Sequence, residues 1–496
     1  MHAESSGRQL QQRLDLPPFD LPRHRQLLKF FAHRTCSFSQ LSIRPPTLKK
    51  VSGQKPRQFA AQVLRRHAGG AEFIENLLDH ALAGARLSPP DRGLCQELVY
   101  GVIRWRGTLD WLIARKTAGR TQKPALQDLL RLGLYQLFWL DRVPDHAAVH
   151  ETVELAKQSG FGPQAGFINA VLRGYLREAD PTRQLLAELK TTQPHLGWSH
   201  PEWLVTRWQQ RWGAETAAKL LEWNNTPPKT FTRVNMLKAD PARLLERWRM
   251  RENVEYDFVR RDWLDESQMF ELKAHPSLAA LGSFRDGWFY VQDPSTLLAV
   301  RALDPQPGET VLDFCAAPGG KTAFIAQLMR NEGRLVAQDV SEDRLKLVRE
   351  NCARLGVTCA EPSRRRVQSS EAESSAVRAS TSAATCQGFD RVLVDAPCSN
   401  TGVMRRRVDL RWRLRPEEIA RLCRTQLALL REAAPRVRRG GVLVYSTCSL
   451  ETEENQQVVR QFLTEHAGFA LEHERELRPF ADGVDGAYVA RLKCVP

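Results

Sequence analysis

The chain has 496 residues and carries 72 Lys and Arg against 57 Asp and Glu, a formal net charge of +15. That length exceeds what one hydrophobic core serves and predicts about three domains, while the excess of cations makes a polyanion the first partner to consider. No apolar run approaches the roughly 18 residues that span a bilayer, and none of the ten cysteines forms a Cys-x-x-Cys pair. Membrane, disulfide-scaffold and zinc proteins are therefore disfavoured, and a soluble cytoplasmic protein without a metal is expected.

Residues 1–55 are broken by Pro17-Pro18 and Pro45-Pro46 and hold no acid between Asp20 and Glu72. They read as a basic, poorly ordered arm, with an organelle transit peptide as the weaker alternative because Glu4, Asp15 and Asp20 come early. From 56 to 195 apolar residues recur at spacings of three and four, as in Leu77, Leu78, Ala81 and Leu82, which predicts an all-helical domain. Arg104, Arg106, Arg131, Arg173 and Arg177 decorate it, either as a solvated face or as a surface for RNA. Residues 196–290 mix helices with strands near 231–235 and 288–291 and form a small α+β connector. From 291 to 496 strands alternate with helices in the rhythm of an α/β doubly wound, Rossmann-like sheet, interrupted at 361–387 by a flexible insertion rich in Ser, Ala and Arg.

In that last part Thr310–Phe314 reads as a strand, followed by the small-residue turn Cys315-Ala316-Ala317-Pro318-Gly319-Gly320-Lys321-Thr322 and a helix. Such a turn lets the backbone approach a nucleotide or S-adenosylmethionine. A P-loop would need glycine where Cys315 stands, so methyl-donor binding is favoured over an NTPase. Asp339 ends the next strand, roughly 20 residues past the glycines, where a carboxylate grips ribose hydroxyls. The alternative, capping the following helix, falls equally well to Ser341.

Two further strands end in Asp395-Ala396-Pro397-Cys398-Ser399 and Ser446-Thr447-Cys448-Ser449. Reactive groups of an open α/β sheet sit beyond the carboxyl ends of its strands, so both thiols should reach one crevice. One thiolate could add to carbon 6 of a pyrimidine and the other assist removal of the carbon 5 proton; the bland alternative is that both pack as small hydrophobes. The residues alone do not order the pair. Arg405-Arg406-Arg407 and Arg411-Trp412-Arg413 follow Cys398 closely enough to flank a bound RNA, Trp412 stacking on a base or packing on a helix.

Through the Cys315–Thr322, Asp395–Gly402 and Tyr445–Ser449 motifs, with Glu453-Glu454-Asn455 following, the chain resembles the RsmB/Sun-type small-subunit (16S) rRNA cytosine-5 methyltransferases. Glu97–Arg104, Pro144–Val149 and Asn169–Arg173 are similar to the NusB-type RNA-binding domain of that group. The resemblance implies S-adenosylmethionine bound by Cys315, Ala316, Ala317, Pro318, Gly319, Gly320, Lys321, Asp339 and Asp395. It further implies Cys448 as nucleophile, Cys398 in release, and Asp395 at the ring nitrogen of the base. A third cofactor-contacting acid is expected near 370, where Ser370 and Glu371 are the candidates. The implied partner is small-subunit rRNA and the default state a monomer; methylation of tRNA and a non-catalytic assembly or antitermination factor are the alternatives.

Overall fold

Apolar residues spaced for one face of a helix fold, between residues 56 and 177, into seven α-helices: Pro56–Ala68, Ile74–Ala83, Pro89–Arg104, Arg106–Lys116, Pro124–Trp139, Asp145–Gln158 and Ala165–Arg177. The computed structural model describes residues 55–70, 72–365 and 388–495. The chain divides into the units Met1–Gly53 and Gln54–Pro496; all of the expected arm except Lys55 lies outside the described residues. The helix starts follow their local chemistry. Ser88 accepts the Asp91 amide at 3.3 Å and caps the third helix, and prolines occupy the first turns at 56, 89 and 124, where no amide donor is needed. Leu98, Val99, Leu130, Leu134, Ile168 and Leu172 meet in one core.

The arginines of this part divide between an exposed group and one that turns inward. Arg173 and Arg177 are exposed. Arg131 instead turns inward, with Nε and Nη2 at 2.7 Å from the two Asp110 oxygens and Nη1 at 2.7 Å from Asp128, and Arg104 is buried.

After the helices Glu202–Trp212 and Ala214–Asn225 comes a four-stranded antiparallel sheet in the order β2-β3-β1-β4. Its strands are β1 (Thr230–Val234), β2 (Glu255–Phe258), β3 (Met269–Ala274) and β4 (Phe289–Val291). Trp248, Phe270 and Phe289 fill the space behind it. The edge strand β2 and its neighbour β3 were not expected.

The second sheet holds seven strands in the order β10-β11-β9-β8-β5-β6-β7. They are β5 (Thr310–Asp313), β6 (Arg334–Asp339), β7 (Ala360–Arg364), β8 (Phe389–Asp395), β9 (Val437–Thr447), β10 (Phe469–Leu477) and β11 (Ala487–Cys494). β5 to β9 run parallel, and β11 and β10 close one edge antiparallel. The order reverses between β5 and β8, so the crevice of this doubly wound sheet opens beyond their carboxyl ends. Glu361–Arg364, expected within the insertion, instead pair with β6 as part of the parallel edge strand β7, where Pro362 is tolerated; residues 366–387 lie outside the described residues. Ser370 and Glu371 lie outside the described residues.

The arginine-tryptophan run after Cys398 requires a correction. Arg411 is fully buried and donates to Asn225 Oδ1 at 2.8 Å and to the Asn224 carbonyl at 2.9 Å. Trp412 donates from Nε1 to the Ile103 carbonyl at 2.7 Å and packs, with Val408, on the core of the seven helices. Asp409 accepts the Ile74 amide at 3.1 Å and Arg413 Nε at 2.9 Å. The run joins the helical part to the sheet, and Trp412 takes the packing alternative.

Candidate active site

The two cysteines come together because their strands are neighbours in register. Asp395 at the end of β8 is paired with Ser446 of β9, and each chain then turns inward within three residues. The Cys398 and Cys448 sulfurs lie 3.3 Å apart. Cys448 Sγ donates to Asn400 Oδ1 at 3.0 Å, and Asn400 returns a bond from Nδ2 to the Cys398 carbonyl at 2.7 Å. The hydrogen bond to Cys448, then burial and the nearby charges of Cys448 and Glu454, hold the Cys398 thiol well above its ordinary pKa.

Beside the sulfurs, Asp395 accepts Lys321 Nζ at 2.6 Å on Oδ2 and Ser446 Oγ at 2.7 Å on Oδ1. Burial disfavours the Lys321 ammonium, but the Asp395 charge, their hydrogen bond and the Cys448 sulfur outweigh it and hold lysine above its usual value. The cation thus lies within electrostatic reach of Cys448 while bonded to the acid.

All these groups line one cavity of about 810 Å³, within the roughly 300–1,000 Å³ usual for small-molecule sites. Of the expected cofactor residues, Cys315, Ala316, Ala317, Pro318, Gly320, Lys321, Asp339 and Asp395 line it. Gly319 does not. Its φ of 100° makes the turn into the helix Gly320–Leu328, and a Cβ there would lie 3.2 Å from the Val348 Cα, so it serves the turn and helix packing. Burial pushes the Cys315 thiol up to about 12, which leaves it a neutral wall residue. Ser341 caps the helix Glu342–Leu355, and Asp339 is left free of that duty. Its buried carboxylate accepts the Ser341 amide at 3.1 Å and the Ala317 amide at 3.4 Å.

This donor set suits S-adenosylmethionine. Asp339 offers acceptors for ribose hydroxyls, the first amides of the helix Gly320–Leu328 have no partners within the helix and suit a carboxylate, and Ala316 and Ala317 leave space for a ring.

Sequence reasoning missed two acids of the cavity. Asp293 and Asp485 line it with Arg406, Asp293 Oδ2 lying 2.9 Å from Arg406 Nη2, and Arg406 is also paired to Asp485. Arg405 is buried, with Nε 2.9 Å from Asp485 and its guanidinium 4.1 Å over the Trp223 ring. Burial, then the charge of Asp293, raises Asp485 to about 6 against the opposing arginines. Of the expected phosphate-facing run, Arg405 is a buried ion-pair partner, Arg406 lines the cavity while paired to both acids, and Arg407 is exposed at the rim.

A doubly wound sheet whose first turn is shaped for a methyl donor, with a buried acid ending the second strand, defines an S-adenosylmethionine-dependent methyltransferase. Residues 300–493 match the model of the 16S rRNA methyltransferase RsmB/F family, residues 54–177 that of the NusB family, and residues 200–256 the RsmF/B-like ferredoxin-like domain. A probable ribosomal RNA small subunit methyltransferase B of Bacillus subtilis is 38% identical over 473 residues, covering 90% of this chain and 99% of that protein. The probable enzyme of the same name from Synechocystis is 36% identical over 422 residues, covering 84% and 90%. A crystal structure of PH0851 superposes with a TM-score of 0.69 over 90% of this chain and 100% of that one, at 24% identity, and shares the fold. The chain belongs to the RsmB/F family of 16S rRNA methyltransferases.

Proposed function

We propose that this chain transfers the methyl group of S-adenosylmethionine to carbon 5 of a cytosine in small-subunit (16S) rRNA, through a covalent bond between Cys448 and carbon 6 of the base. The observation that carries this reading is the pair of sulfurs 3.3 Å apart beside the Lys321–Asp395 pair. Cytosine carbon 5 is a poor nucleophile until a nucleophile adds to carbon 6, and a thiolate is suited to that addition.

In this mechanism the Cys448 sulfur gives up its proton and adds to carbon 6, which leaves carbon 5 electron-rich. Asp395, held by Lys321 and Ser446, passes that proton on to the ring nitrogen, so that the charge the addition would leave there is neutralised. The bound donor supplies an electrophilic methyl group to carbon 5. Cys398, kept in its thiol form, then assists a base in removing the carbon 5 proton, the ring electrons return, and the carbon 6–sulfur bond breaks to free Cys448. A stacked base hides carbon 6, so the target is unpaired or turned out of its helix.

The parts divide the labour: residues 56–195 bind RNA, 196–290 connect, and 291–496 carry the chemistry. The +15 net charge suits a nucleic-acid substrate. Among the described residues no helix is long and apolar enough to cross a membrane, and we place the enzyme in the cytoplasm as a monomer. The test is transfer of labelled methyl groups to unmodified small-subunit rRNA, with tRNA, large-subunit rRNA and DNA alongside, followed by nucleoside analysis. Label in 5-methylcytidine from small-subunit rRNA alone is expected; label in another nucleoside overturns the carbon 5 chemistry.

A further inference from the structure

Beneath the two thiols lies a buried carboxylate to which the mechanism above gives no part. Glu454 is fully buried on the π-helical turn Glu453–Gln457. Its Oε1 accepts the Ser399 amide at 2.8 Å and Gln426 Nε2 at 2.9 Å, and its Oε2 accepts the hydroxyls of both Ser399 and Ser449. Ser399 directly follows Cys398 and Ser449 directly follows Cys448. The same Gln426 amide donates to the Pro397 carbonyl at 3.0 Å, on the other side of Cys398.

We propose that Glu454 is a positioning residue of the reaction, the clasp that fixes the Cys398 loop against the Cys448 loop. The proposal rests on the two-thiol reading of the site.

Its contacts are unequal. Three of the four bonds to the carboxylate reach the Cys398 side, through Ser399 and Gln426, whereas only the Ser449 hydroxyl reaches the Cys448 side. The Cys448 loop has supports from outside both loops: Asn455 Nδ2 donates to the Ser449 carbonyl at 2.9 Å and Thr447 Oγ1 bonds Asn455 Oδ1 at 2.6 Å, whereas the further bond to the Cys398 carbonyl comes from Asn400 of its own loop, at 2.7 Å. Loss of Glu454 therefore frees Cys398 more than Cys448, so the step served by Cys398 suffers more than the addition made by Cys448. A carboxylate suits the task better than a neutral acceptor, since four donors converge on it and hydrogen bonds to a charged acceptor are roughly twice as strong as neutral ones. The cost of burying its charge, which raises its pKa above the ordinary glutamate value, is offset by these same bonds to Ser399, Ser449 and Gln426.

The experiment compares full-length Glu454→Ala and Glu454→Gln with the parent on unmodified small-subunit rRNA and S-adenosylmethionine. Turnover is read together with the fraction of chain that runs as an RNA adduct on a denaturing gel, and thermal unfolding reports folding. Glu454→Ala is expected to lose at least tenfold in turnover while the adduct fraction rises severalfold. Glu454→Gln, which still accepts from the Ser399 amide, should fall between it and the parent. A merely structural role lowers turnover with the folded fraction and leaves the adduct fraction unchanged. Turnover within twofold of the parent, or a loss without added adduct, overturns the proposal. If Glu454→Ala does not fold, the double variant Ser399→Ala, Ser449→Ala removes both hydroxyl contacts and is judged by the same two readouts. Failure of the two-thiol reading is seen separately, as the absence of any adduct from Cys398→Ala.

Discussion

Lys321 Nζ lies 2.6 Å from Asp395 Oδ2, joining the first turn after β5 to the end of β8 across the point where the strand order reverses. The ammonium serves the acid and the Cys448 sulfur at once. Lys321→Met should lower the rate of methyl transfer on the order of a hundredfold, with a much smaller change in the KM for RNA, since the charge acts on the reacting groups. Steady-state kinetics separate the two effects.

The two thiols should fail in different ways. Cys448→Ala is expected to abolish transfer, a loss on the order of a thousandfold or more, and to form no adduct. Cys398→Ala should form a protein–RNA adduct that survives denaturing electrophoresis. Trapping by Cys448→Ala instead would exchange the roles.

Asp313, at the end of β5, is fully buried, and burial raises its pKa from 3.8 to about 7 against the hydrogen bond from Thr322, with the charge of Asp395 adding to the rise. The folded chain therefore holds this proton over a range where the unfolded chain has lost it. Its contribution to stability is fully present below about pH 4 and declines as pH rises towards 7, by up to roughly 1.4 kcal/mol per unit. Denaturant unfolding at pH 5 and 7.5 should show a smaller decline for Asp313→Asn than for the parent.

Gly402 is wedged between two backbones. A Cβ there would stand 2.7 Å from the Cys448 carbonyl oxygen and 2.7 Å from the Gly486 Cα, neither of which is the end of a flexible side chain. Gly402→Ala should cost about 1–3 kcal/mol in overpacking and, by displacing the Cys448 loop, lower transfer more than tenfold. Chemical denaturation and the labelled-methyl assay check the two parts.

The cysteines, Asp339 and Asp395 were legible because each ends an apolar strand, and the strand-end rule for open sheets gathers such positions without knowledge of the packing. Arg405 and Arg406 were not. A run of like charges reads as surface, and the acids that draw it inward, Asp485 and Asp293, stand 80 and 113 residues away along the chain. The edge strands β2 and β10 also escaped notice, for they are largely exposed, and the alternation of Glu255-Tyr256-Asp257-Phe258 is only four residues long. Gly319 was assigned to the ligand because the turn and the cavity share one short motif, and only the direction of its missing side chain separates them.

The segment that leaves Cys398 runs without a break to Val408, whose side chain finishes inside the seven-helix core, and to Trp412, which packs against that core. The sheet and the helices are therefore not interchangeable modules on a tether. Deleting the helices would strip an indole and a valine of their cover a dozen residues from a reactive thiol, and grafting foreign helices would require a matching socket. Such a chain is constrained to be inherited, and to be re-engineered, as a single piece.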